Sequence, residues 1–142
     1  RLKLAQKWGG IPIRYNREDA TRRVLKETHA RGVDVAIEAA WADESVTQAA
    51  EMARLGGRLV VVGISGSNRL ELNASVARRK GLTIVMSRRM KHTYPRAIRL
   101  AESGRVDLRS LISHRFPLKK AAEAFKLNAA YADEVVKVMI KS

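Results

Sequence analysis

The sequence predicts an α/β protein built on a parallel sheet, and three observations carry that expectation. Val33–Glu38 and Arg58–Ile64 are near-continuous apolar runs, the pattern of parallel strands buried on both faces. Between them, Val46, Ala49, Ala50 and Ala53 recur at i, i+3, i+4 and i+7, giving a helix over Glu44–Leu55 with one buried stripe. A third apolar run, Leu82–Met86, extends the alternation of strand and crossover helix.

The flanking segments follow in order. Leu2–Trp8 reads as a helix stopped by Gly9 and Gly10, with Leu4 and Trp8 on one face. Ile11–Tyr15 reads as a short strand in which Pro12 suits only an edge or a first position. Glu18–Ala30 reads as a helix with Ala20, Val24 and Leu25 turned inward. Gly56 and Gly57 close the central helix, and Ser65-Gly66-Ser67-Asn68 makes a turn cluster. Leu70–Asn73 is a candidate exposed strand, with a helical turn through Val76. Beyond Arg88 the pattern changes, which suggests a boundary there. Tyr94, Ala97, Ile98 and Ala101 form one helical stripe, and Leu118, Ala121, Ala122 and Phe125 form another after Pro117. The last strand, Val135–Ile140, has no evident partner in sequence.

Composition narrows the chemistry. The chain of 142 residues is the size of one domain, and its 46% hydrophobic content supports a core of Val, Leu, Ile and Ala. With no cysteine, disulfides and thiolate metal sites are excluded within these residues. His29, His92 and His114 are too dispersed to form a metal-ligand motif. The net charge of +14 could draw nucleic acid, with Arg78-Arg79-Lys80 and Arg88-Arg89 the densest patches. No aromatic stacking platforms accompany those patches, so a solvated basic surface is the favoured reading and a nucleic-acid partner is not expected. No signal peptide or membrane-length apolar run is present, and a cytoplasmic location is expected.

Ligands of parallel sheets bind beyond the carboxyl ends of the strands. Here those ends are Glu38–Trp41, Gly63–Gly66 and Ser87–Arg89. Gly63 and Gly66 could admit a ligand to the backbone or merely turn the loop. Glu38 could serve a site, although a carboxylate bonded to nearby amides is commoner at a strand end. Arg88 and Arg89 could hold an anion, against the commoner fate of solvated surface arginines. No Ser/His/Asp arrangement, carboxylate pair or phosphate loop can be assembled from spacing.

At these same residues the sequence resembles a family. Val33–Ala40, Arg54–Ile64, Arg78–Ile84 and Ile112–Leu118 are similar, in order and spacing, to the zinc-dependent medium-chain alcohol dehydrogenases, and most to their sorbitol (iditol) dehydrogenase branch. The resemblance implies a partial Rossmann-like, doubly wound parallel sheet lacking its first two strands. Residues 1–88 would belong to an NAD-binding domain and residues 89–142 to the returning segment of a catalytic domain. It implies NAD or NADP, and zinc in the complete enzyme, with no catalytic residue and no zinc ligand in this chain. Arg1 resembles an arginine beside the cofactor's adenosine. Gly63, Ile64, Ser87 and Arg88 resemble the stretches flanking the nicotinamide, and Arg89 resembles the arginine that reaches the polyol. Leu70–Leu72 resembles an edge strand that pairs across a dimer. Two positions depart from the family pattern: Trp41 stands where glycine is usual, and Met90 where tyrosine is common.

The function expected is the C-terminal part of an NAD- and zinc-dependent polyol dehydrogenase, transferring hydride from a secondary alcohol in the complete enzyme and inactive alone. Its partners would be the N-terminal half, a second copy of the chain and a polyol. In the strand order 3-2-1-4-5-6, the Ile11 strand is separated from the Val33 strand by two absent strands. The Val33 strand would then carry a bare edge and the last strand would lack neighbours, favouring self-association. The alternatives are a non-catalytic assembly module pairing through those edges and a basic nucleic-acid-binding domain.

Overall fold

The computed structural model describes every residue except Trp41, Asp43, Ser65 and Asn68. Its elements in chain order are α1 (Leu2–Lys7), α2 (Ala20–Glu27), β1 (Val33–Glu38), α3 (Ser45–Met52) and β2 (Ala53–Val61). They continue with α4 (Ala74–Lys80), β3 (Thr83–Met86), α5 (Tyr94–Glu102), β4 (Ile112–Pro117), α6 (Ala121–Ala129) and β5 (Lys137–Lys141). Two compact units result: Ile11–Lys91, and Arg1–Gly10 together with His92–Ser142.

In the first unit β1, β2 and β3 form a parallel sheet in that order. The sheet is Rossmann-like and partial. α3 packs its Val46, Ala49 and Ala50 against Ala36, Ala53, Leu59 and Val61, and Val76 of α4 adds to the same core. Alanine at the contact positions lets helix and sheet approach closely, so Leu59 is wholly buried. Burial on both faces is not what the chain achieves. The helices touching the strands share this one core, and on β1 Val35 and Ile37 remain 49% and 65% exposed.

The passage from α3 to β2 departs from the predicted boundary. The helix ends at Met52 rather than Leu55, because Ala53 is already extended and pairs with Val33. The register then jumps, with Val35 opposite Arg58, so Arg54–Gly57 loop out of the ladder. Gly56 supplies the left-handed turn there, at φ 64°. Arg54 Nε closes the bulge by donating to Asp34 Oδ1 at 2.6 Å, and Arg31 donates to both oxygens of that carboxylate. Hydrogen bonds from Arg31 and then Arg54 hold the Asp34 carboxyl well below the usual carboxylate range. At its other end β2 stops at Val61 instead of continuing to Ile64.

Lys80 fixes this junction from the far end of α4. Its Nζ donates to the carbonyls of Glu51 at 2.5 Å, Ala53 at 2.7 Å and Ala50 at 3.3 Å. The last carbonyls of a helix have no partner within it and carry its negative dipole end, so an ammonium is matched to them twice over. α2 and α4 are capped conventionally. Asp19 accepts from Arg22 N, and Asn73 accepts from Ser75 N and Val76 N.

Two expected strands do not form. Ile11–Tyr15 is irregular: Pro12 offers no N–H, and the Arg14 carbonyl accepts from Arg17 N and Glu18 N in a turn leading to α2. Leu70–Asn73 is also not a strand. Leu72 packs on the core and the Glu71 carbonyl accepts from Thr47 Oγ1, and no second strand pairs with the segment among the described residues. In the turn cluster, Gly66 and Ser67 do form a turn, while Ser65 and Asn68 lie outside the described residues.

The second unit corrects the reading of the last strand. β5 pairs in parallel with β4, so the segment after Pro117 is a further strand–helix–strand crossover through α6. Ser113 occupies a register shift between Ile112 and His114. Its Oγ accepts from Val136 N and Lys137 N, lies within bonding distance of the Lys137 carbonyl, and meets His114 Nδ1. His114 Nε2 lies 3.0 Å from Asp133. The serine hydroxyl is thus committed to backbone groups, and the cluster ties β4 to β5. Lys3 pairs with Glu134, joining α1 to this unit.

Two outcomes follow. Lys80→Met strips the α3 carbonyls of their donor and is expected to lower stability by about 1–3 kcal/mol in urea unfolding, against under about 0.5 kcal/mol for Arg79→Met. The exposed β1 edge is expected to make the chain elute as an oligomer in size-exclusion chromatography, with Ile37→Lys shifting it toward monomer. A monodisperse wild-type monomer contradicts the second expectation.

Candidate functional site

The carboxyl ends of β1, β2 and β3 open into one cleft of about 430 Å³. Three consecutive backbone events build it. β1 ends at Glu38, whose carbonyl accepts from Val62 N at 2.8 Å and Gly63 N at 3.1 Å. β2 then leaves the ladder and forms one wall with Val62, Gly63 and Ile64. Ser87 N donates to the Val61 carbonyl at 2.8 Å, bringing the chain after β3 alongside as the other wall.

Glu38 is the carboxylate among the cleft's described residues, and it is engaged. It is 5% exposed and accepts from Ala40 N at 2.8 Å. The Ser45 hydroxyl sits between Glu38 Oε1 at 2.7 Å and the Ala42 carbonyl at 2.6 Å, its single proton serving one of them at a time. Of the two readings open for this residue, the structure shows the carboxylate bonded to a nearby amide, clamping the β1 loop to the start of α3.

Gly63 is required for a related reason. A Cβ at this position would collide with the Ala40 carbonyl and come within 2.5 Å of Glu38 Oε2. Close packing of the β1 loop against the backbone therefore dictates glycine there.

The structure brings five of the six sequence-derived binding residues into this cleft: Gly63, Ile64, Ser87, Arg88 and Arg89. Arg1 is elsewhere. It belongs to the second unit, where its guanidinium lies 4.9 Å from the centroid of the Tyr131 ring. Trp41, which stands where the family usually has glycine, lies outside the described residues. Sequence reading missed Arg69, which also lines the cleft. A lone arginine after a turn carries no signal; only the return of the loop to the strand ends reveals it.

Fit to ligands can be judged from these residues. A cleft of about 430 Å³ matches the lower range of small-molecule sites, roughly 300–1,000 Å³, which suits one nucleotide portion of a dinucleotide. For zinc the fit fails: among the described residues no three His, Cys, Asp or Glu side chains gather to hold an ion. No helix among them is long and apolar enough to cross a membrane.

Parallel strands with a ligand cleft at their carboxyl ends define the Rossmann-like class of nucleotide-binding folds. The family profile described as zinc-binding dehydrogenase matches residues 1–103. The chain belongs to that family. It is 33% identical over 141 residues to a sorbitol dehydrogenase of Bacillus subtilis, covering 99% of this chain and 40% of the relative. It is 32% identical over 132 residues to an L-arabinitol 4-dehydrogenase of Hypocrea jecorina, covering 93% and 35%. The solved alcohol dehydrogenase of Thermus sp. ATN1 superposes with a TM-score of 0.88 at 31% identity, over 99% of this chain and 41% of that one. A Sinorhizobium meliloti protein solved with NADP bound superposes at 0.86 and 25% identity, over 99% and 42%. The chain thus spans about 35–40% of the length of these two curated relatives.

Gly63→Ala is expected to destabilise the chain by about 2 kcal/mol or more, since overpacking against backbone cannot relax by a rotamer change. Ile64→Ala, at an exposed position beside it, is expected to stay within about 0.5 kcal/mol. Equal midpoints in thermal unfolding contradict this.

Proposed function

We propose that Ile11–Lys91 supplies the nicotinamide side of the cofactor site in an NAD(P)-dependent alcohol or polyol dehydrogenase, and that residues 92–142 belong to its catalytic domain. The observation that carries the reading is the single cleft formed by Gly63, Ile64, Ser87, Arg88 and Arg89 at the strand ends. Backbone at Val62–Ile64 and Ser87–Arg88 would flank the nicotinamide, and Arg89 would face the alcohol. Bound NAD(P) would accept hydride from the secondary alcohol. The chain's own part is to orient the ring against fixed backbone and to place guanidinium donors beside the reacting oxygen. Zinc finds no ligands among the described residues. On this reading the chain alone is inactive.

A second reading is favoured by the exposed β1 edge: the chain assembles with another polypeptide through that strand. The two readings unite if the partner carries the phosphate-binding turn and the metal ligands.

Saturation-transfer NMR of the 142-residue chain with NAD⁺ tests the first reading. The nicotinamide protons are expected to show stronger transfer than the adenine protons, with no turnover of sorbitol or L-arabinitol. Adenine-dominated transfer overturns the nicotinamide assignment, and turnover overturns inactivity.

A further inference from the structure

The cleft carries more positive charge than a neutral alcohol can use. Arg69 enters from the loop after β2, and Arg88 and Arg89 from the segment after β3. Among the described residues none of these three guanidiniums has an ion-pair partner; the arginines that do, Arg23, Arg31 and Arg54, line no part of the cleft. The one carboxylate among the described cleft residues is Glu38, which is buried and already bonded to Ala40 N and shared with Ser45. It is not presented to the arginines as a counter-charge.

Resting on the dehydrogenase reading above, we propose that the alcohol taken by this cleft is a phosphorylated polyol, whose phosphate is bound by Arg69, Arg88 and Arg89. Charge count selects the phosphate. The oxidised nicotinamide ring is itself cationic and adds to the three guanidiniums, which find no counter-charge among the described cleft residues beyond the already bonded Glu38, so an anionic substrate is favoured over a neutral one. A phosphomonoester brings about −1.5 to −2 charges near neutral pH and three acceptor oxygens, whereas a carboxylate brings one charge and two oxygens. Guanidinium forks pair bidentately with phosphate, and arginines reaching from two separate segments can grip different faces of one tetrahedral group. An uncharged polyol would itself bring no anion to any of the three guanidiniums.

Binding to the full 142-residue chain, followed by saturation transfer and competition, tests this. Sorbitol 6-phosphate is expected to bind at least about tenfold more tightly than sorbitol, with inorganic phosphate competing. Arg69→Gln and Arg88→Gln are each expected to weaken it about tenfold or more, the worth of one charge-assisted hydrogen bond. Both changes are at exposed positions and should leave the thermal midpoint unmoved. Sorbitol 6-phosphate and NAD⁺ should bind together. Mutual exclusion would give the phosphate subsite to the cofactor's own phosphate and overturn the proposal. Gluconate binding as tightly as the phosphate ester would overturn the choice of phosphate. Preserved nicotinamide contact with no preference for the ester removes this inference and leaves the dehydrogenase reading standing. Ester preference without nicotinamide contact removes that reading, and the substrate assignment with it.

Discussion

The structure of the first unit depends on the burial of β2. Among the described strands of the sheet, β2 is the central one, hydrogen-bonded on both sides, and Leu59 and Val61 fill the space under α3 and α4. Because these side chains alternate, a slip of one residue would turn both out of the core. The register of β2 therefore fixes the sheet, and through it the position where each strand ends. Those ends form the cleft. The four-residue loop at Arg54–Gly57 absorbs the mismatch at the opposite end of the strand, so that Val35–Glu38 pair in step with Arg58–Val61.

That register is protected from two directions. Lys80 holds the carbonyls where α3 turns into β2, while Arg54 and Arg31 converge on Asp34 beside the bulge. The interactions differ in kind. The Asp34 cluster is exposed, and its ion pairs are screened by solvent. The Lys80 contacts are partly buried and satisfy backbone carbonyls where α3 ends and β2 begins. The second set accordingly has more influence on where the strand begins.

Much of this was legible in the sequence, for identifiable reasons. β1 and the alanine stripe of α3 declare themselves by period, because a parallel strand and a buried helix face leave strong apolar patterns. The point where α3 gives way to β2 was not legible. Ala53 fits the helical stripe as well as it fits a strand, and only its pairing with Val33 decides between them. β4 was hidden because Ser113, His114 and Arg115 look polar, although alternate residues Ile112, His114 and Phe116 are half-buried. Ile11–Tyr15 shows the converse: β propensity without a neighbouring ladder yields no strand. In the cleft, Gly63, Ser87, Arg88 and Arg89 sit at strand ends and could be found by topology. Arg69 is brought there only by tertiary return of its loop.

The excess of basic residues gains meaning from its distribution along the sheet. At the amino end of β1, one carboxylate is shared between two cations: Asp34 takes hydrogen bonds from Arg31 and Arg54. At the carboxyl ends, the cleft gathers Arg69, Arg88 and Arg89 around a carboxylate already bonded to the amide of Ala40. A parallel sheet makes its carboxyl end the place where ligands are received. Leaving that end electropositive focuses the field where an anion would enter, and burial of Glu38, the acidic group among the cleft's described residues, keeps it from being offered to the arginines. The same packing that makes Gly63 a glycine thus also sequesters Glu38, and through it the wall of the cleft is coupled to its charge.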